Sequence, residues 1–366
     1  MKRIWQCSAL SFLALAGSLN AVADPQFTGG ITGIYQYTDE DQVDDEFTLS
    51  GDLVITLDAG GGQWLIYIEG STQPDNDGIS SVYPTANADA GSVLNRDGDG
   101  GVQISEFHYT FSTSSAHTFT FGLIDLSAWL DQSAIAADEN TQFINGSLTQ
   151  NATIEFPDYT IGGAYRRPGT DSKPEYTVVV AGSDGIADVP DRSYQNLLNL
   201  TSDERGVFVG ASAVWNREQW TYGVGGWWRS DDHQVLGTVG EPMETIYGGF
   251  LNLDWSHEGH SVMTRIGSAK ERVAIANRFL SIAYQRELPT GVLGIGISRT
   301  AVASTFRQRD LDDLTGAELY FRWNLGDGRG ELTPSLQYVE NPGFDGSGLA
   351  TPSSATIATL RFHWAF

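Results

Sequence analysis

The most constraining feature of this sequence is a segment of alternating apolar and polar residues that recurs from Phe27 to the last residue. In the final copy, residues 356–366, one face carries Leu360, Phe362, Trp364 and Phe366, and the other carries Thr359, Arg361 and His363. Strict period-two alternation predicts β-strands with one apolar and one polar face. About sixteen such segments occur, an even number as in bacterial outer-membrane barrels. We therefore predict an all-β chain that forms a transmembrane antiparallel β-barrel.

The connections between these segments also alternate in length. Every second connection is a short turn, at residues 59–62, 112–116, 216–218, 256–259, 290–291 and 327–330, and most of the others are longer and acidic. Short periplasmic turns on one rim and long external loops on the other produce this pattern in a barrel, whereas a soluble sandwich has no reason to show it. Tryptophans gather where strands end, as in the aromatic girdles at membrane interfaces: Trp215, Trp220, Trp228, Trp255, Trp323 and Trp364.

The first 23 residues have the pattern of a secretory signal peptide. Lys2 and Arg3 precede a short apolar run, and the small residues of 21–23 precede Asp24. We expect residues 1–23 to be a signal peptide, with Cys7 inside it, and residues 24–366 to form a single barrel domain. The formal charge of −25 then becomes 19 − 46 = −27. So negative a chain is not expected to bind nucleic acid.

If the aromatic face of each strand contacts lipid, the opposite face lines the pore. The predicted pore-lining residues are Glu69, Glu106, His108, Arg166, Arg229, Arg265, Glu318, Tyr320, Arg322, Arg361 and His363, with Tyr67 and Trp227 as further inward aromatic residues. Arginines on one wall that face acids on another would set a transverse field and offer hydrogen bonds to hydroxyl groups. The alternative for each of these residues is a solvated side chain without a specific role.

One connection, residues 125–158, is too long for a hairpin and carries apolar residues, among them Trp129, Leu130 and Phe143. Such a loop is expected to pack against something. The interior of a wide barrel is the available place, so we predict that one loop folds into the lumen and narrows the pore.

Residues 95–106, NRDGDGGVQISE, have the spacing of an EF-hand calcium loop. The predicted Ca²⁺ ligands are Asn95, Asp97, Asp99, Gly101 through its carbonyl, Gln103 and Glu106. No helical pattern flanks the loop, and a chance match in a loop rich in Gly and Asp is the alternative.

Six segments resemble a known family. DLSAWLDQSAIAADENTQFINGSL followed by NATIEFPD, then EYTVVVAGSDGIADVP, GAELYFRWNL and TPSLQYVENPG, are similar to the carbohydrate-selective outer-membrane porin (OprB) family, as is the final TIATLRFHWAF. The resemblance covers most of residues 24–366. It implies a sixteen-stranded barrel that passes sugars, with the loop of residues 125–158 at the constriction. The calcium-type loop is not part of the resemblance.

The leading functional hypothesis is a passive diffusion channel of the Gram-negative outer membrane for small hydrophilic solutes, with carbohydrates preferred. A general or cation-preferring porin is the runner-up, and the charge of the lumen discriminates between the two. The expected surroundings are outer-membrane lipids and lipopolysaccharide, with small sugars in transit; the oligomeric state stays open. A barrel enzyme would need a Ser–His or Asp–His constellation, and the spacing of the six histidines indicates none. An adhesive surface barrel would need no open lumen.

Overall fold

The computed structural model describes residues 24–366 except 115, 189–193, 198–204, 239, 241, 308–311, 327 and 342–353. The predicted signal peptide lies outside the described residues. Sixteen strands are present: β1 (Gln26–Thr38), β2 (Glu46–Ala59), β3 (Gly62–Ser71), β4 (Gly101–Ser114), β5 (His117–Ile124), β6 (Thr160–Arg167), β7 (Glu175–Gly182), β8 (Val207–Arg217), β9 (Trp220–Gln234), β10 (Met243–His257), β11 (His260–Ala269), β12 (Ala276–Leu288), β13 (Gly291–Val302), β14 (Leu314–Leu325), β15 (Gly330–Glu340) and β16 (Ser354–Ala365).

The sixteen strands form one closed antiparallel barrel. Each strand pairs with its neighbours in sequence, and β1 pairs with β16 from Gly30 opposite Ala365 to Thr38 opposite Ile357. Closure leaves no free sheet edge, so the strands satisfy one another's backbone hydrogen bonds, as a hydrocarbon environment requires. The predicted all-β barrel of about sixteen antiparallel strands is confirmed.

The connections form two distinct rims. Those at the rim that also holds the start of β1 and the end of β16 have two to seven residues, and those at the opposite rim have six to 35. We call these the short-turn rim and the long-loop rim. The tight turn at residues 60–61 shows how a short connection is made, since Gly60 and Gly61 have φ of 66° and 83°, which glycine adopts without strain.

The outer face of the barrel is apolar, and the inner face is polar. In β1, Ile31 and Tyr35 are about half exposed, whereas Thr32 and Gln36 are almost fully buried. Five of the six predicted girdle tryptophans (Trp215, Trp220, Trp255, Trp323 and Trp364) lie near the short-turn rim, and Trp228 lies toward the long-loop rim. An outward apolar surface between aromatic bands is the arrangement of a barrel that crosses a membrane.

Helices are few and short. They are α1 (Ile79–Val82), a 3₁₀ turn (Pro84–Ala86), α2 (Ser127–Leu130), α3 (Gly146–Thr149), α4 (Tyr194–Leu197) and α5 (Ser304–Arg307), all in connections at the long-loop rim. Among the described residues, no helix is long and apolar enough to cross a membrane.

The barrel wall varies in height. Strands β5, β6 and β7 have eight residues each, whereas β9 and β10 have fifteen each. The three short strands are adjacent, so the low part of the wall is one continuous sector.

Candidate functional site: a lumen narrowed by two loops

The connection between β5 and β6, residues 125–159, lies inside the barrel, and we call it the inner loop. Its residues hydrogen-bond to the inward side chains of Arg265 in β11, Glu318 in β14 and Arg361 in β16. Strands this far apart around the wall are reached from one loop only through the lumen. The inner loop therefore occupies part of the interior along β11–β16.

Arg265 holds the middle of the inner loop through a buried ion pair. Its side chain is 0% exposed, and its Nε lies 3.2 Å from Asp131 Oδ1. Nη1 donates to the carbonyl of Leu148 at 2.8 Å, and Nη2 donates to the carbonyl of Asp131 at 3.2 Å. Asp131 also accepts from Asn252 Nδ2 at 3.0 Å and from the Asn151 N–H at 2.9 Å. One arginine thus fixes both ends of residues 131–148.

Arg361 and Arg322 also donate hydrogen bonds to carbonyl groups of the inner loop. Arg361 is 2% exposed and donates to the carbonyls of Glu139 and Gln142, the latter at 2.6 Å. Arg322 donates to the carbonyl of Thr141. The expectation that these arginines and Arg265 face an open pore is corrected here: they lie on the inner wall, but the inner loop covers them, so in this conformation their donors bind loop carbonyls.

Two further predicted residues of β14 also anchor the inner loop. Glu318 Oε2 accepts from the N–H groups of Ile144 and Asn145 at 3.0 and 2.9 Å. The Tyr320 ring meets the Phe143 ring edge-to-face with centroids 5.0 Å apart, and both side chains are at most 1% exposed. Tyr320 was expected to present its ring to solutes, but this packing removes it from the pore.

A second connection also enters the lumen. Residues 72–100, between β3 and β4, form one of the long acidic connections. Three of its side chains, Ile79, Tyr83 and Ala86, are nevertheless 0% exposed. The carbonyl of Ala86 accepts from Gln36 of β1 at 3.0 Å and from Gln337 of β15 at 2.9 Å. Residues 79–86 include apolar side chains, as residues 125–158 do, but fewer of them. This pattern could have indicated that the connection packs inside the barrel.

The two loops touch each other and fill one side of the barrel. The N–H of Ala88 donates to the carbonyl of Ile144 at 3.0 Å. Together they cover the inner wall from β11 through β16 to β1. Two cavities lie among the described residues beside β3 and β6–β10.

The first cavity, of about 380 Å³, lies toward the long-loop rim, and we call it the acidic cavity. Its lining includes Glu69, Asp125, Asp131, Glu139 and Asp158, with Tyr67 and Gln132, and no lysine or arginine among the described residues. The hydroxyl of Tyr67 lies 2.8 Å from Asp52 Oδ1 and 3.1 Å from Glu69 Oε1.

Burial raises the pKa values of three carboxyl groups of the lumen loops, Asp89, Asp125 and Glu139. Burial raises the pKa of Glu139 to about 8, and the neighbouring Asp89 raises it further. Burial raises the pKa of Asp89 itself to about 6, although the Ser50 hydroxyl, which donates to it at 2.6 Å, opposes the shift. The negative charge of this region therefore grows as the pH rises through neutrality.

The second cavity, of about 220 Å³, lies toward the short-turn rim, and we call it the tryptophan cavity. The guanidinium of Arg166 lies over the Trp129 ring at 4.7 Å, and Arg166 Nε is 3.4 Å from Glu175 Oε1. Across the cavity, Asp254 Oδ1 accepts from the Ser133 hydroxyl at 2.8 Å. The sequence predicts only that Trp129 is an apolar residue by which the loop packs. Whether its ring lines a cavity depends on how the loop folds.

The other predicted pore-lining residues lie on inward faces with partners of their own. Arg229 forms a two-bond pair with Asp231 and also approaches Glu155 and Asp184. His108 lies 3.8 Å from Glu106. His363 Nδ1 lies 2.9 Å from the Thr32 hydroxyl. Trp227, expected to face solutes, is 3% exposed and stacks on Phe208.

The structure does not bring the predicted calcium ligands together. Asn95 Oδ1 accepts from the N–H groups of Asp97 and Asp99, so this part forms a compact turn. Residues from Gly101 onward are strand β4, which separates Gly101 from Glu106 by about 16 Å at 3.3 Å per residue. Gln103 donates to Ser105, and Glu106 accepts from the Asp125 N–H. No group of three or more acidic or histidine side chains in the described ranges is placed to hold a metal ion.

Comparison with known proteins places this fold among porins. No family model matches the chain, and no curated protein matches it. OprB of Pseudomonas putida superposes with a TM-score of 0.72 at 14% identity, over 93% of this chain and 94% of that one. A porin variant of Rh. blastica gives 0.53 at 12% identity over 94% and 100%. The trimer form of OmpT, an outer-membrane protein of Vibrio cholerae, gives 0.57 at 11% identity over 95% and 100%. The chain thus shares the fold of these three proteins.

Proposed function

We propose that this protein is a passive diffusion channel of the bacterial outer membrane for small hydrophilic solutes, and that neutral sugars are its preferred cargo. The closed barrel, its apolar outer face and its similarity to porin structures support the channel and its place among outer-membrane lipids and lipopolysaccharide. The sequence resemblance to carbohydrate-selective porins and the likeness to OprB support the choice of sugars.

The tryptophan cavity carries the sugar assignment. A sugar has apolar faces of C–H groups and a rim of hydroxyls. Trp129 supplies an aromatic surface, while Arg166, Glu175 and Asp254 supply charged donors and acceptors at the same cavity. A mainly apolar wall with a few placed polar groups is the usual composition of a small-molecule site.

The acidic cavity favours a second function, a cation-preferring porin without sugar selectivity. In the part of the chain that the structure describes, five carboxyl groups and no basic residue line it, and the inner loop covers Arg265, Arg322 and Arg361. Field lines from carboxylates raise the local concentration of cations. Cation preference and passage of neutral sugars are compatible, so the two functions differ only in whether sugars bind.

Planar-bilayer recording separates the two functions. Under a salt gradient, the reversal potential of the open channel gives the ion preference, for which we expect cations. Glucose, sucrose and maltose-type oligosaccharides are then titrated against the open current. Saturable blockade by a sugar supports the sugar channel. A current that none of these sugars changes supports the general porin and contradicts the sugar channel. If the correctly folded barrel carries no current, both functions are contradicted.

A further inference from the structure

Gln132 borders both cavities. Among the described residues it is the one that lines both the acidic cavity and the tryptophan cavity. We propose that Gln132 is the residue that determines selectivity along this path, through contact with neutral polyhydroxylated solutes. This inference rests on the proposed channel function and assigns its narrow point to one side chain.

Contacts of the preceding residue hold the backbone at Gln132 in place. The preceding residue, Asp131, is 4% exposed and is held by Arg265, Asn252 and Asn151. The Gln132 side chain itself is exposed, and its Nε2 donates to the carbonyl of Ser127 in α2 at 2.8 Å. A carboxamide in the lumen is thus carried on an immobilised main chain, which is what a discriminating contact needs.

The chemistry of this side chain differs from that of both cavities. The acidic cavity is lined by carboxyl groups, and the tryptophan cavity holds Arg166, Glu175 and Asp254. The carboxamide is neutral, and with one N–H given to Ser127 it keeps a second N–H donor and its carbonyl acceptor. It can therefore donate to one hydroxyl and accept from another without attracting or repelling an ion.

Thiol labelling tests the position, because the chain contains a single cysteine, Cys7. On a Cys7→Ser background, Gln132→Cys is compared with Ala134→Cys and Gln150→Cys. The two controls are exposed residues of the same loop, and each lines one cavity only. A cationic methanethiosulfonate reagent is added during planar-bilayer recording, and labelling is checked by mass. We expect Gln132→Cys to lose the largest share of its current and to show the largest loss of cation preference. A smaller loss than at both controls, or no labelling, overturns the position.

Gln132→Leu tests the chemistry, since leucine keeps much of the size and removes both polar groups. We expect sugar blockade to weaken by about tenfold, the equivalent of one or two hydrogen bonds, while ion conductance stays near that of the unchanged protein. Unchanged blockade overturns the selectivity role. If the unchanged protein conducts ions but no sugar blocks it, the proposed sugar function fails, while the labelling result still decides whether Gln132 occupies the narrow point.

Discussion

Replacing Arg265 by methionine should release the inner loop without unfolding the barrel. Methionine keeps the apolar stem but removes the Nε contact to Asp131 and the two bonds to the carbonyls of Leu148 and Asp131. Because the pair is fully buried, the Asp131 carboxylate would lose its charged partner in a place with little water. Removal of one member of a buried ion pair costs about 3–5 kcal/mol.

That cost applies chiefly to the docking of the loop, because the sixteen strands keep their own hydrogen bonds. A loss of about 3–5 kcal/mol raises the undocked population of the loop by roughly two to four powers of ten. We expect larger and noisier single-channel currents, together with a lower midpoint for urea unfolding in lipid vesicles followed by tryptophan fluorescence.

Two control variants accompany Arg265→Met in both measurements. Arg299→Met removes a pair with Asp313 in which the arginine side chain is 68% exposed and the aspartate side chain is 11% exposed, and it should cost less than Arg265→Met with no change in current noise. The double variant Arg265→Met/Asp131→Asn removes the stranded charge and should recover part of the loss. The reasoning is refuted if Arg265→Met matches Arg299→Met in both measurements, or if the double variant is no more stable than Arg265→Met.

Three further predictions concern solutes, protons and calcium. Trp129→Ala should weaken sugar blockade by about tenfold, whereas Trp129→Phe should keep most of it, in planar-bilayer titrations. Burial raises the pKa of Glu139 to about 8, so its carboxyl group becomes negatively charged as the pH rises. The cation preference of the channel, measured as the reversal potential under a salt gradient, should therefore grow between about pH 6 and 9. In Glu139→Gln this growth should be smaller. Glu106→Gln should leave calorimetric calcium titrations unchanged, because β4 carries Glu106 away from Gly101.

The barrel could be predicted from the sequence because its physics is local. A strand with lipid on one side and water on the other must alternate, and a wall of hairpins must alternate short and long connections. Each of the sixteen segments depends on its own residues and on its turn. The inward placement of Thr32 and Gln36 and the outward placement of Ile31 and Tyr35 follow from parity alone.

The lining of the lumen could not be predicted in the same way. Parity places Arg265 and Arg361 on the inner wall, but it does not say whether water or a loop carbonyl meets their donors. That depends on the path of 35 residues between β5 and β6, which contacts distant strands. For the same reason, the sequence does not indicate that Trp129 lines a cavity, and the inward parity of Tyr320 does not reveal that the Phe143 ring covers it.

The low sector of the wall has a consequence for the surrounding bilayer. Eight residues at about 3.3 Å each, tilted by about 40°, rise only about 20 Å, against an apolar band of about 25 Å in outer-membrane barrels. Acyl chains beside β5–β7 must shorten or tilt to match, at a cost of fractions of a kcal/mol per ångström. We therefore expect the membrane to be thinner on this side of the barrel, which would give the molecule a preferred direction in the plane of the bilayer.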